Sequence, residues 1–102
     1  METTIITELV TFLKPDSTTE EQLVAGVNSL NEFQRRQDGF VDSELVKSPA
    51  DNRWHLIFHF ENMEKVRAIG DKMRAENVLA AFTPLLIPGS LAVTFHQQVK
   101  RW

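Results

Sequence analysis

The chain of 102 residues has no cysteine and no tyrosine, and only three histidines. The missing cysteine excludes a disulfide framework, a thiolate metal site and a cysteine nucleophile. It is compatible with a cytoplasmic setting. Glycine is scarce, with four residues at 26, 39, 70 and 89 that stand apart from one another, so no glycine-rich phosphate loop and no nucleophile elbow can be built. No apolar run approaches the roughly 18 residues that a membrane span needs. The opening METTIITELV lacks the basic flank and apolar stretch of a signal peptide. Charge of either sign is modest: the formal net charge is −3. The basic residues are scattered in pairs rather than in a stripe, which argues against nucleic acid as a partner.

What is present is an ordinary globular composition, 42% hydrophobic and 25% charged. Its length is that of one domain, taken as residues 1–102. The best-patterned stretch is Arg53 to Phe60. Trp54, Leu56, Phe58 and Phe60 occupy every second position, and His55, Ile57 and His59 fill the gaps. That period of two predicts a strand with a large apolar face and a second face of mixed character.

Ile5 to Leu13 reads as an earlier strand. Ile6, Val10 and Phe12 share one face with Glu8, while Ile5, Leu9 and Leu13 share the other with Thr7 and Thr11. Apolar groups on both faces predict cover on both sides. A capping box, Ser17–Glu20 or Thr18–Glu21, should open a helix in which Leu23, Val27, Leu30 and Phe33 recur at helical spacing. Gly26 within it predicts close approach of another backbone. The helix should stop near Gln37-Asp38-Gly39. Phe40 to Lys47 alternates loosely and reads as an edge strand. Asn62 should cap a second helix with Val66, Ile69 and Met73 on its apolar stripe. A helical piece over Asn77 to Phe82, closed by Pro84, and a last strand from Ser90 to Val99 complete the series.

The order β-α-β-β-α-β is the split βαβ, ferredoxin-like arrangement, an α+β fold with an antiparallel sheet ordered 4-1-3-2 and both helices on one face. Two helices cover one face only. The other predicts a homodimer in which the two sheets meet, since bare apolar patches are rare on monomers.

With this order, a Lys-Pro closing the first strand, a Gln-Asp-Gly-Phe before the second and a Phe60-Glu61-Asn62 triplet opening the second helix, the chain resembles the antibiotic-biosynthesis-monooxygenase-like family of dimeric α/β barrels. The resemblance implies a pocket between helices and sheet, lined by Trp54, Phe58 and Phe82, and activity as a cofactor-independent monooxygenase on a small aromatic, quinol or polyketide-like compound. No histidine occurs between Asn62 and Pro84, where haem-degrading relatives carry one. With no tyrosine, a tyrosine-based proton relay is excluded.

His59 and His96 are the candidate catalytic residues, because an imidazole can take a proton from a phenol near neutral pH. Glu8 is placed with the substrate-binding residues, and a Glu8–His96 pair across neighbouring strands would raise the basicity of the imidazole. His55 and His59 do not make a metal site: four residues on a strand span about 13 Å at a rise of about 3.3 Å each. No metal or other cofactor is expected. The aromatic residues read more readily as core packing than as a ligand box. The alternative to an enzyme is a non-catalytic homodimer that binds a hydrophobic small molecule.

Overall fold

The computed structural model describes residues 4–102. Strand β1 runs Ile6–Leu13, helix α1 Glu20–Gln34, β2 Phe40–Lys47, β3 Arg53–Phe60, helix α2 Met63–Ala75 and β4 Ala92–Gln97. Two short 3-10 turns, Val78–Ala81 and Thr83–Leu85, lie between α2 and β4. The strands form one antiparallel sheet in the order β2-β3-β1-β4. This is the α+β ferredoxin-like fold and the strand order expected from the element sequence.

Alternation decides what faces the helices. Ile6, Val10 and Phe12 of β1 and Trp54, Leu56, Phe58 and Phe60 of β3 are buried together with Leu23, Leu30, Val66 and Ile69 from the two helices. The opposite sheet face carries Thr7, Leu9 and Thr11 beside His59, Ile57 and His55. Among the described residues no helix or strand covers it, and its centre is the Leu9–Ile57 pair.

The loose alternation of β2 has a local cause. A bulge at Val41 separates Phe40, paired with Phe60, from Asp42, paired with His59. The extra residue lets Phe40 pack inward, edge-on to Phe60 at 5.7 Å, while Asp42 turns to the outer face. The edge position expected for β2 is the observed one.

The start of α1 departs from expectation. Thr19, not Ser17 or Thr18, is the N-cap: its hydroxyl accepts from Gln22 N at 3.0 Å, and Gln22 Oε1 accepts from Thr19 N at 2.9 Å. A glutamine thus closes the box where a glutamate was expected. Thr18 is released for another task. It is buried, and its hydroxyl donates to Leu85 O at 2.9 Å, tying the entry of α1 to the second 3-10 turn. The two 3-10 turns together explain Gly26, where a Cβ would stand 2.7 Å from Leu85 Cδ1 of the second and 3.2 Å from Ala81 O of the first.

Helix α2 begins as expected, with Asn62 Oδ1 accepting from Lys65 N at 2.9 Å. It ends where Asn77 takes the left-handed conformation, φ 52°. The piece beyond is 3-10, not α, and Pro84 lies inside the second turn rather than ending the first. β4 is shorter than the Ser90–Val99 strand expected. Ser90 is used as a brace instead: its hydroxyl accepts from Leu13 N at 3.1 Å and donates to Ile87 O at 2.7 Å.

Gly39 turns the chain from α1 into β2 at φ +96°, and the side chain of Lys65 lies directly over it. A Cβ there would fall 2.4 Å from Lys65 Cγ. Gly39→Ala is expected to cost about 1–2 kcal/mol, because the backbone conformation and the contact are both unfavourable. Lys65→Gly in the same chain should return only the part due to contact, since an alanine would keep a Cβ within 2.5 Å of the new methyl. Chemical denaturation of the single and double variants measures both parts.

Candidate active site

Two elements that face each other each carry one polar residue in an otherwise apolar row. On β1 the inward row is Ile6, Glu8, Val10, Phe12; on α1 it is Leu23, Val27, Leu30, Gln34. Between them, and bounded by α2, lies a cavity of about 550 Å³. Glu8 and Gln34 both line it, with Phe58 of β3, Phe82 of the connecting segment and Phe95 of β4 as aromatic walls. This volume lies in the range of small-molecule sites.

The cavity is open on one side. Leu91, Val93 and Phe95 continue the inner surface, yet each remains 43–46% exposed. The helices lie over β1 and β3 and leave β4 uncovered. The mouth therefore runs between β4 and α2, whose Arg67, Asp71 and Arg74 stand along it. Asp71 and Arg74 form an ion pair.

Glu8 sits on the floor. Its register partners are Phe58 on one side and Phe95 on the other, so the carboxyl lies in a row between two phenyl-bearing positions. Burial pushes this carboxyl up from its ordinary value of 4.5 to about 7. The cause is loss of hydration, which penalises the ionised form. A carboxyl poised near neutrality is able to take or return a proton at physiological pH.

The histidines lie elsewhere. His59 and His96 both flank Thr7, on the sheet face away from the cavity, and neither lines it. His59 Nδ1 is 2.6 Å from Asp42 Oδ1, and His96 Nε2 is 2.9 Å from Thr94 Oγ1. The expected Glu8–His96 pair is not formed. The register sets Phe95, not His96, opposite Glu8, so the carboxyl and the imidazole point to opposite faces. His55 is held between Thr11 Oγ1 at 3.2 Å and Ser48 Oγ at 3.4 Å. Among the described residues, no three His, Cys, Asp or Glu side chains gather as a metal site.

Of the aromatic residues expected at the cavity, Phe58 and Phe82 line it. Trp54 does not: it is buried at the far end of β3, opposite Phe12, with Lys47 Nζ 5.3 Å from its ring. The Phe12–Phe82 pair, edge-on at 5.4 Å, lies within the same core. Gln34, Arg67, Asp71, Arg74 and Thr83 are polar residues at the cavity that sequence reasoning missed. The signal for Gln34 was present, since it falls four residues after Leu30 on the buried stripe. Arg67 carried no such mark.

Fold and cavity together define a class: ferredoxin-like α+β subunits with a largely apolar cavity between sheet and helices. No protein-family model matches the sequence, and no curated protein matches it. Solved structures do. The chain is similar to SnoaB, a cofactor-independent oxygenase from Streptomyces nogalater, with a TM-score of 0.80 over 96% of each chain at 14% identity. It is similar to protein SO0527 from Shewanella oneidensis, with a TM-score of 0.74 at 23% identity, covering 95% of this chain and 93% of that one. A dimeric ferredoxin-like protein of unknown function from Thermobifida fusca matches at a TM-score of 0.73 and 13% identity, covering 96% of this chain and 94% of that one.

Proposed function

We propose that this chain is a homodimeric, cofactor-independent oxygenase of the antibiotic-biosynthesis-monooxygenase-like family, acting on a small aromatic or polyketide-like compound. One observation carries the reading: a single carboxyl, raised to about 7, on the floor of an apolar cavity open to solvent along one edge. The fold likeness to SnoaB supports it. The Glu8 carboxylate removes a proton from an activated CH₂ or phenolic OH held against Phe58 and Phe95. The resulting anion is electron-rich enough to reduce dioxygen. For a CH₂ substrate, O₂ adds to the carbon, the peroxide loses water, and the carbon leaves as a ketone. One oxygen atom of O₂ enters product and the other leaves as water, with both electron pairs drawn from the two C–H bonds.

Oxygen uptake with a panel of anthrones and quinols tests this, with the product ketone quantified alongside. Uptake no faster than in buffer across the panel would count decisively against catalysis. Ligand retained on the purified protein in native mass spectrometry, without turnover, would support the binding-protein reading instead.

The dimer is part of the proposal. The uncovered sheet face centres on Leu9 and Ile57, and the Thermobifida fusca neighbour of the same fold is dimeric. Ile57→Glu is expected to convert the dimer to monomer in sedimentation equilibrium, because a charge would be buried without a partner at the centre of the interface. A wild-type chain that sediments as monomer at all concentrations removes this part.

A further inference from the structure

All three histidines of the chain stand on one face of the sheet, the face turned away from the helices. His59 and His96 flank Thr7 from β3 and β4, and His55 lies beside Thr11. The other charged groups of this face are Asp42 and Glu44 of β2, paired with His59 and Ile57, and Arg53 at the start of β3. Each imidazole has a different setting. His59 has a counter-ion, with Nδ1 2.6 Å from Asp42 Oδ1. To His96, β1 presents Thr7, and its own strand presents Thr94, whose Oγ1 is 2.9 Å from Nε2. His55 meets hydroxyls at both nitrogens, from Thr11 and Ser48, and β2 sets Val46 opposite it. Two positions away along β2 and β3, Glu44 and Arg53 are of opposite sign and offset one another. Among the described residues, neither His55 nor His96 forms an ion pair.

We propose that this face is an acid-sensitive interface, through which two copies associate while the imidazoles are neutral and separate when His55 and His96 take up protons. The inference rests on the homodimer proposed above and adds its regulation. With neutral imidazoles the face carries one carboxylate in excess; with charged ones it carries two cations in excess. A symmetric partner presents the same set, so however the copies are turned it supplies no acid beyond its own Asp42 and Glu44. Burying cations that outnumber their counter-ions is costly, and a separated copy avoids the cost by hydrating them. The charge of the whole chain acts in the other direction. Three added protons cancel a formal net charge of −3, so long-range repulsion between copies falls in acid and favours association. Loosening in acid therefore reports the face itself. Glu8 also titrates near neutrality, but from the cavity side of the sheet.

Sedimentation equilibrium of the full chain at about pH 8 and about pH 5, which bracket imidazole titration, tests this at constant ionic strength. The dimer dissociation constant should rise at least about tenfold at the lower pH, with the far-ultraviolet circular dichroism unchanged. A chain carrying both His55→Gln and His96→Gln should keep its alkaline dissociation constant in acid. His96→Gln alone, at an exposed edge position, should recover part of the shift and serves if the double variant folds poorly. His59→Gln and Glu8→Gln should respond as the wild type does. An equal or smaller dissociation constant in acid overturns the inference without any variant and leaves the dimer standing. Dissociation accompanied by loss of the helical signal, or a double variant that responds like the wild type, overturns it as well. A wild type that is monomeric at both pH values removes the dimer, and this inference with it.

Discussion

Glu8→Gln is expected to lower kcat/KM for oxygen uptake by about 10²–10⁴-fold, the range that a positioned general base contributes. The variant keeps shape and a hydrogen-bonding group but cannot accept the proton. In the wild type the active form is the carboxylate, so kcat/KM should rise as pH passes through about 7 and level off above it. In Glu8→Gln that rise disappears. A rate that is unchanged by the substitution, or flat across this range in the wild type, would remove Glu8 from the chemistry.

The same carboxyl makes an opposite demand on stability. Its folded value, about 7, lies above the ordinary 4.5, so between these values the folded chain binds more protons than the unfolded one. Stability from this group is fully present below 4.5 and is lost as pH rises to about 7. Discounted for its partial exposure, the loss is on the order of 2 kcal/mol. Glu8→Gln should therefore be the more stable protein at about pH 8 and lose that advantage near pH 4.5. Urea titrations at the two pH values measure the gap. A site that weakens the fold where it is active is the expected signature of a buried functional group.

Phe82→Ala is expected to cost about 3–5 kcal/mol, the range for deleting a buried phenyl ring. Phe82 is 3% exposed and stands edge-on to the fully buried Phe12, and it also walls the cavity. For a chain of this size the melting temperature should fall by roughly 15 °C or more. Phe82→Leu, which keeps most of the volume, should cost about 1–1.5 kcal/mol. A cycle with Phe12→Ala should show a coupling of about 0.5–1.5 kcal/mol for the edge-on pair. A loss below about 1 kcal/mol for Phe82→Ala would mean that this segment is not packed as described.

Much of this architecture was legible in the chain itself. The period of two in Arg53 to Phe60 located β3 to the residue, and the helical rows of α1 and α2 located their buried faces. What sequence reading misplaced depends on contacts between distant segments. Thr18 was a fair candidate for the cap, but Leu85 O claims its hydroxyl. The looseness of β2 came from a bulge, which a single strand read alone cannot announce. In the site, alternation did place Glu8 on the buried face of β1. It could not supply the register of β4, and a shift of one residue decides whether Phe95 or His96 meets Glu8. The imidazoles drew attention because their chemistry is familiar, while the more informative mark was a polar residue interrupting an apolar row, at Glu8 and again at Gln34.

In the single chain β4 pairs with β1 on one side only, and among the described residues nothing covers its other edge or buries either face. It is also the wall along which the chamber opens. Unzipping a single ladder, with no hinge or lid, is then enough to widen the entrance. Amide protons of β4 should exchange faster than those of β3 in hydrogen–deuterium measurements, and an occupied chamber should slow β4 more than any other strand. The speed at which guests come and go would follow from how often this margin of the sheet frays.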